Sequence, residues 1–168
     1  TYDYKISVGA TNAGTSSSDS QIAHSGTFPE CYDVTAYVSE NITNGYDIVF
    51  YSQGPIYFPA NSSYLFAKIS ETFDSLTSIA LDNINTSEVL DMSFMFFYCS
   101  KLEDLDLSGF DTSNVTNMMY MFYESGLTTI DVENFNTSNV TNMQGMFASS
   151  KFTSLDLSSF NTANVTDM

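Results

Sequence analysis

The 168-residue chain sets 20 acidic residues against four lysines and no arginine, a formal net charge of −16. Phosphate-rich partners need clustered Lys or Arg, so this balance excludes nucleic acid and disfavours anionic membrane surfaces. It also withholds the guanidinium fork that captures phosphate or carboxylate substrates at two points. Hydrophobic residues make up 43% of the chain, enough to build a core. No segment approaches the ~18 apolar residues of a membrane span.

The first half reads as β. Tyr2, Tyr4, Ile6 and Val8 alternate with polar residues, the period of a half-buried strand. Gly14 to Ser20 is a Ser/Gly/Asp-rich loop, and Tyr32, Val34, Ala36 and Val38 alternate again. Asn44-Gly45 stands just before the apolar run Tyr46 to Tyr51, a hairpin signal, because both central residues of a type I′ turn need positive φ. Ile56-Tyr57-Phe58 forms one more short strand, ended by Pro59. His24 is the only histidine, with no Cys or His at ligand spacing, and reads as an exposed loop residue. All three prolines precede residue 60 and all eight methionines lie between Met92 and Met168. The expected division is therefore a β-rich N-terminal cap or small domain over 1–60 and a repeat array over 61–168.

The array is written four times. Leu76, Leu102, Leu127 and Phe152 each open a unit of 25 or 26 residues, the fourth stopping at Met168. A fixed period of this length predicts a solenoid, in which each unit contacts only its neighbours. Leu102, Leu105 and Leu107 have the L-x-x-L-x-L spacing of a leucine-rich repeat, with Leu105 and Leu107 on one side of a short strand and Asp106 on the other. Ser108-Gly109 turns the chain and Phe110 points inside. Val115, Met118, Met121 and Phe122 fall on one face of a short helical turn, too short to survive without its neighbours. The expected fold is an α/β solenoid: parallel strands on a concave face, short helical turns opposite, and Leu, Phe, Val and Met between them.

These units closely resemble the BspA-like leucine-rich repeats of bacterial surface proteins. The resemblance rests on Leu105-Asp-Leu-Ser108, Phe110 to Met118 and Met121-Phe122, matched again by Phe135 to Met143 with Met146-Phe147, and by Phe160 to Met168. It covers residues ~59–168, with the unit from Leu76 looser, and does not reach residues 1–50. It implies a secreted or cell-surface protein, often with many more repeats, associated with adhesion to host or matrix proteins.

Three rows of outward residues follow from the spacing. Asp106, Asp131 and Asp156 share one strand position; Asp104, Thr129 and Ser154 share a second, with Ser78; Ser108, Glu133 and Ser158 share a third, which Asp82 joins. Together they line the concave face and are the candidate binding surface. Stacked carboxylates ~4.8 Å apart repel one another unless a cation or hydrogen-bond donors sit among them. A solvated acidic face screened by Ser and Thr donors is the preferred reading, and calcium at the Asp106, Asp131, Asp156 row the alternative. No EF-hand loop or Gly-x-Asp repeat accompanies that row.

Thr86, Thr112, Thr137 and Thr162 recur, as do Asn114, Asn139 and Asn164, and read as structural ladders to the neighbouring backbone. Asn41, Asn61, Asn85, Asn114, Asn136, Asn139 and Asn164 fall in N-x-[ST] sequons; in the repeats this follows from N-V-T belonging to the unit. Cys31 and Cys99 form one disulfide or none; Ser125 and Ser150 stand close to the place of Cys99 in later units, which suits a small buried residue. The methionine row is core packing rather than a cofactor box. No catalytic constellation, nucleophile elbow, Walker loop or H-E-x-x-H is present, so no enzyme and no cofactor are expected.

The expected function is a non-enzymatic extracellular or cell-surface recognition or adhesion module. Its partner is a host, matrix or cell-surface protein or glycan, held by the repeat surface. The alternative is a structural subunit of a surface appendage, sheath or virion, self-associating through the edge left open where the fourth unit stops.

Overall fold

The computed structural model describes residues 21–22, 34–40, 46–51, 56–67, 76–81 and 84–168. The expected strand Tyr2 to Val8, the loop Gly14 to Ser20, His24, Cys31, the Asn44-Gly45 turn and Asp82 lie outside them. Seven strands follow in chain order: β1 (Gln21–Ile22), β2 (Val34–Glu40), β3 (Tyr46–Tyr51), β4 (Ile56–Tyr57), β5 (Leu76–Ala80), β6 (Ile84–Asn85) and β7 (Asp104–Leu105). β2 and β3 pair antiparallel, with Glu40 opposite Tyr46. β3 then pairs parallel with β5, and β5 parallel with β7, so one five-stranded sheet, in the order β1-β2-β3-β5-β7, runs from the hairpin into the repeats. A second parallel pair joins β4 to β6.

From residue 61 onward each unit is bonded to the next in parallel. Single bridges connect Asn61 to Asp91, Asp91 to Asn117, Asn117 to Asn142 and Asn142 to Asp167. Inward side chains repeat with them: Val89, Met92, Met95 and Phe96, then Val115, Met118, Met121 and Phe122, are all fully buried. Phe66, Phe96, Phe122 and Phe147 stack ring on ring through the interior, with centroids 5.4, 5.4 and 5.7 Å apart. Burying each such side chain contributes about 1.5–3 kcal/mol. Burial fades in the fourth unit, where Phe152, Phe160 and Val165 are half-buried and Leu157 and Met168 exposed.

The segments expected as helical turns are not α-helical, and no helix occurs among the described residues. The backbone amides divide alternately between two jobs. Met95 and Phe97 donate within the unit, to the carbonyls of Met92 and Phe94, closing tight turns. Phe94, Phe96 and Tyr98 donate to the next unit, at Met119, Met121 and Tyr123. An α-helix would direct its amides along its own axis rather than alternately toward the neighbouring unit. The alternation needs left-handed backbone at regular intervals, at Phe94 and Tyr98, Tyr120 and Glu124, Gly145 and Ser149, with φ between 52° and 59°. That is the conformation a type II turn places at its third residue.

The strand side is also sparser than expected. β5 and β7 pair, and Thr153 N–H donates to the Thr128 carbonyl at 2.9 Å, but no strand is formed there in the third and fourth units. Between the second and third units a side chain does the joining instead: Asn134 Nδ2 donates to the Leu107 and Phe110 carbonyls at 3.1 and 3.0 Å.

One register change is absorbed locally. Phe96 and Leu102 are six residues apart, whereas Phe122 and Leu127 are five. The spare residue pushes the Cys99–Leu102 loop against Gly126, whose amide donates to the Cys99 carbonyl at 2.9 Å. A Cβ on Gly126 would stand 2.5 Å from the Ser100 carbonyl oxygen and 2.8 Å from that of Leu102, so only glycine fits there.

Candidate functional site

Each coil turns at corners made by Asn or Asp. At the strand-side corner, Asp106, Asp131 and Asp156 accept the amide two residues on, from Ser108, Glu133 and Ser158, at 2.8, 2.9 and 2.9 Å. At the next corner Asn85, Asp111, Asn136 and Asn161 do the same for Ser87, Ser113, Ser138 and Ala163. At the bridge corner Asn61, Asp91, Asn117 and Asn142 repeat the arrangement. This Asx turn imitates a backbone turn with a short side chain, which is why Asn and Asp recur there. The Asp106, Asp131 and Asp156 carboxylates are thus turn-forming groups with one oxygen already committed.

Nine residues of the three outward rows are exposed: Asp104, Thr129 and Ser154; Asp106, Asp131 and Asp156; Ser108, Glu133 and Ser158; Ser78 is half-buried. Two adjacent shallow grooves bring some of them together. Asp106 and Ser108 belong to both, joined by Asp131 and Glu133 on one side and by Ser78 and Asp104 on the other. Thr129, Ser154, Asp156 and Ser158 line neither. The Ser108 amide and hydroxyl hold the Asp106 carboxyl below its ordinary value, and those of Ser158 act likewise on Asp156. Asp111 is lowered in the same way by the Ser113 hydroxyl and amide. Among the described residues no three acidic, His or Cys side chains gather as a metal site would require.

Three of the row, Thr86, Thr112 and Thr137, are buried, and each both donates to and accepts from the following unit, while Thr162 is exposed. Thr112 Oγ1 donates to the Asn136 carbonyl at 3.1 Å and accepts from the Asn136 amide at 2.8 Å. Thr86 with Asp111 and Thr137 with Asn161 repeat the pair. Asn114, Asn139 and Asn164 donate from Nδ2 to the Ser87, Ser113 and Ser138 carbonyls, each in the preceding unit, at 2.8, 2.7 and 2.7 Å. These are the structural ladders the spacing predicts. Cys99 is buried, with Sγ 3.2 Å from the Phe66 carbonyl it donates to; Ser150 makes the corresponding bond to the Phe122 carbonyl.

A family model described as "Mycoplasma protein of unknown function, DUF285" matches residues 63–168, well over half of the chain. The chain belongs to the DUF285 family. The DUF285 match begins within the bridge segment at Asn61 and takes in all four units, so the ladders described above are features of its family region. Comparison of this DUF285 chain with curated proteins and with solved structures gives no match.

The sequence reading missed a second surface. Within Met-x-x-Met-Phe-x-x, the residues between the buried ones carry Phe94 and Phe97 in one unit and Tyr120 and Tyr123 in the next. All four are half-buried, and the neighbouring Tyr64 and Tyr98 are 44% and 37% exposed. An aromatic at the same outward position in successive units was the available signal.

Proposed function

We propose that the chain is a non-enzymatic recognition module, built as a BspA-like leucine-rich-repeat solenoid and working outside the cell or at its surface. The observation that carries this reading is how variation is distributed. Buried positions hardly change from unit to unit: Val89, Val115 and Val140 share a place, as do Met92, Met118 and Met143, and Phe96, Phe122 and Phe147. Several exposed positions change, Asp104, Thr129 and Ser154 among them, and Ser108, Glu133 and Ser158, while the half-buried Phe97 and Tyr123 give way to exposed Ala148; the exposed Asp106, Asp131 and Asp156 stay fixed by the turns they form. A scaffold that repeats its interior and varies its exterior is suited to displaying a surface. The excess of acid and the lack of Arg favour protein or glycan over nucleic acid as partner. The acidic rows around Asp106, Asp131 and Glu133 form one candidate contact face.

Binding of the whole chain to immobilised matrix proteins and to a glycan panel tests the reading. Saturable binding to one class supports it; absence of binding to every member rejects it.

A further inference from the structure

We propose that the aromatic surface of Tyr64, Phe94, Phe97, Tyr98, Tyr120 and Tyr123 docks a cationic polypeptide segment, one with apolar side chains between its Lys or Arg residues. This rests on the recognition reading and names its site and partner class.

The six rings form an unbroken chain of contacts from Tyr64, ahead of the first unit, through the first and second units. Tyr64 stacks on Phe94 at 4.4 Å, Phe94 meets Tyr120 at 5.4 Å, and Tyr120 meets Tyr123 edge-on at 5.3 Å. Tyr123 stacks on Phe97 at 5.3 Å, and Phe97 meets Tyr98 edge-on at 4.4 Å. These rings stand apart from the interior ladder through Phe96 and Phe122, and each keeps part of its surface in water. A contiguous aromatic surface of this kind marks a contact site, whereas scattered exposed rings do not. The patch has a definite edge. In the third unit the equivalent places hold Gly145 and Ala148, and Tyr120 lies so close over Gly145 that a Cβ there would stand 2.3 Å from the ring. The rings belong to particular units, so the repeat alone does not require them.

Charge and ring geometry choose the partner. Glu124 lies close enough to Tyr98 for its negative charge to raise the pKa of the tyrosine hydroxyl, which puts a carboxylate at the patch. The chain around it carries a net charge of −16, which attracts cations and repels a second copy, an acidic protein or an anionic bilayer. A sugar that stacks on aromatics needs free ring faces. Here Tyr64 and Phe94 are parallel to within 5°, and Phe97 and Tyr123 to within 21°, so one face of each ring is spent on its partner and less is left for a sugar. Apolar side chains pack well on ring edges, and Lys or Arg can lay their stems there while their heads reach Glu124.

The test is selection of a random dodecapeptide display library on the whole chain. Winning peptides are then titrated against Tyr64→Ser/Tyr98→Ser and Glu124→Lys, with melting followed in parallel. The expected winners combine Lys or Arg with apolar residues. They should bind the double variant at least 10-fold more weakly, with its melting lowered only modestly because each tyrosine keeps more than a third of its surface in water. They should also bind Glu124→Lys more weakly, which decides the matter if the double variant does not fold. Winners without basic residues, or winners that bind both variants at full strength, overturn the proposal. If binding is instead lost in Asp106→Asn/Asp131→Asn, recognition stands and its site is the acidic face. If no peptide is selected and the matrix and glycan panel is also silent, both readings fall.

Discussion

Replacing Thr112 by Val isolates the hydrogen bonds between units from their packing. Val has nearly the same shape, so the 1%-exposed site stays filled, while the hydroxyl disappears. Two bonds go with it: the donation to the Asn136 carbonyl at 3.1 Å and the acceptance from the Asn136 amide at 2.8 Å. At about 1 kcal/mol net for each, the expected loss is about 2 kcal/mol. For a chain of this size that lowers the melting temperature by about 4–8 °C. Because the bonds join the second unit to the third, the variant should also weaken coupling along the array and broaden the transition. Urea denaturation followed by circular dichroism measures the loss. Thr112→Ser is the control: it keeps the hydroxyl, gives up one methyl, and should lose only about 0.8 kcal/mol. A Val variant that loses less than about 0.5 kcal/mol, or a Ser variant that loses as much as Val, would refute the argument that the ladder bonds matter.

Phe122→Ala should cost about 3–5 kcal/mol in the same assay, since the ring is fully buried between Phe96 and Phe147; a loss below about 1 kcal/mol would contradict its packing role. Asp131→Asn should leave stability unchanged or slightly raised, because Asn still accepts the Glu133 amide and like-charge repulsion falls; Asp131→Ala should lose about 1 kcal/mol. A melting loss in Asp131→Asn that appears only with calcium present would instead assign a cation to that row. Acid should destabilise the chain late. The Asp106, Asp111 and Asp156 carboxyls lie below their ordinary 3.8 when folded, so their contribution is complete above that value and lost as pH falls through the lower folded values. Melting followed across pH should therefore decline below about 3.8, and less steeply in the triple Asp→Asn variant; identical acid limbs would remove these turns from the account.

What was legible in the sequence is what the repeat writes several times. The inward residues Val115, Met118, Met121 and Phe122, and the Thr and Asn ladders, could be read because their counterparts recur at one period. The turns could not be read in the same way. A spacing of i and i+3 puts Met118 and Met121 on the same side of a helix and of a coiled turn alike; what decides is where the amides donate, which residue identity does not reveal. The short strands escaped for a related reason. Asn134 takes over carbonyls that a strand ladder would use, and one unit's side chain gives no sign of that. The aromatic surface was hidden because it breaks the repeat: Phe94 and Tyr120 become Gly145, and a consensus discards that change. The acidic rows were legible as exposed residues, while their turn-forming role follows from Asp-x-Ser at a corner.

The fit of Gly126 under the Cys99–Leu102 loop gives the copies a memory of one another. An insertion in one repeat is usually judged by whether that repeat still folds. Here the residue added before Leu102 is tolerated because the following copy gives up a side chain 25 residues away. The longer loop and the missing side chain are complementary. Shortening the first loop by one residue should relax the demand for glycine at 126, and a copy lifted out and placed beside a different neighbour would carry a mismatched edge. The array is therefore less modular than its near-identical units suggest: its physical unit is the adjacent pair.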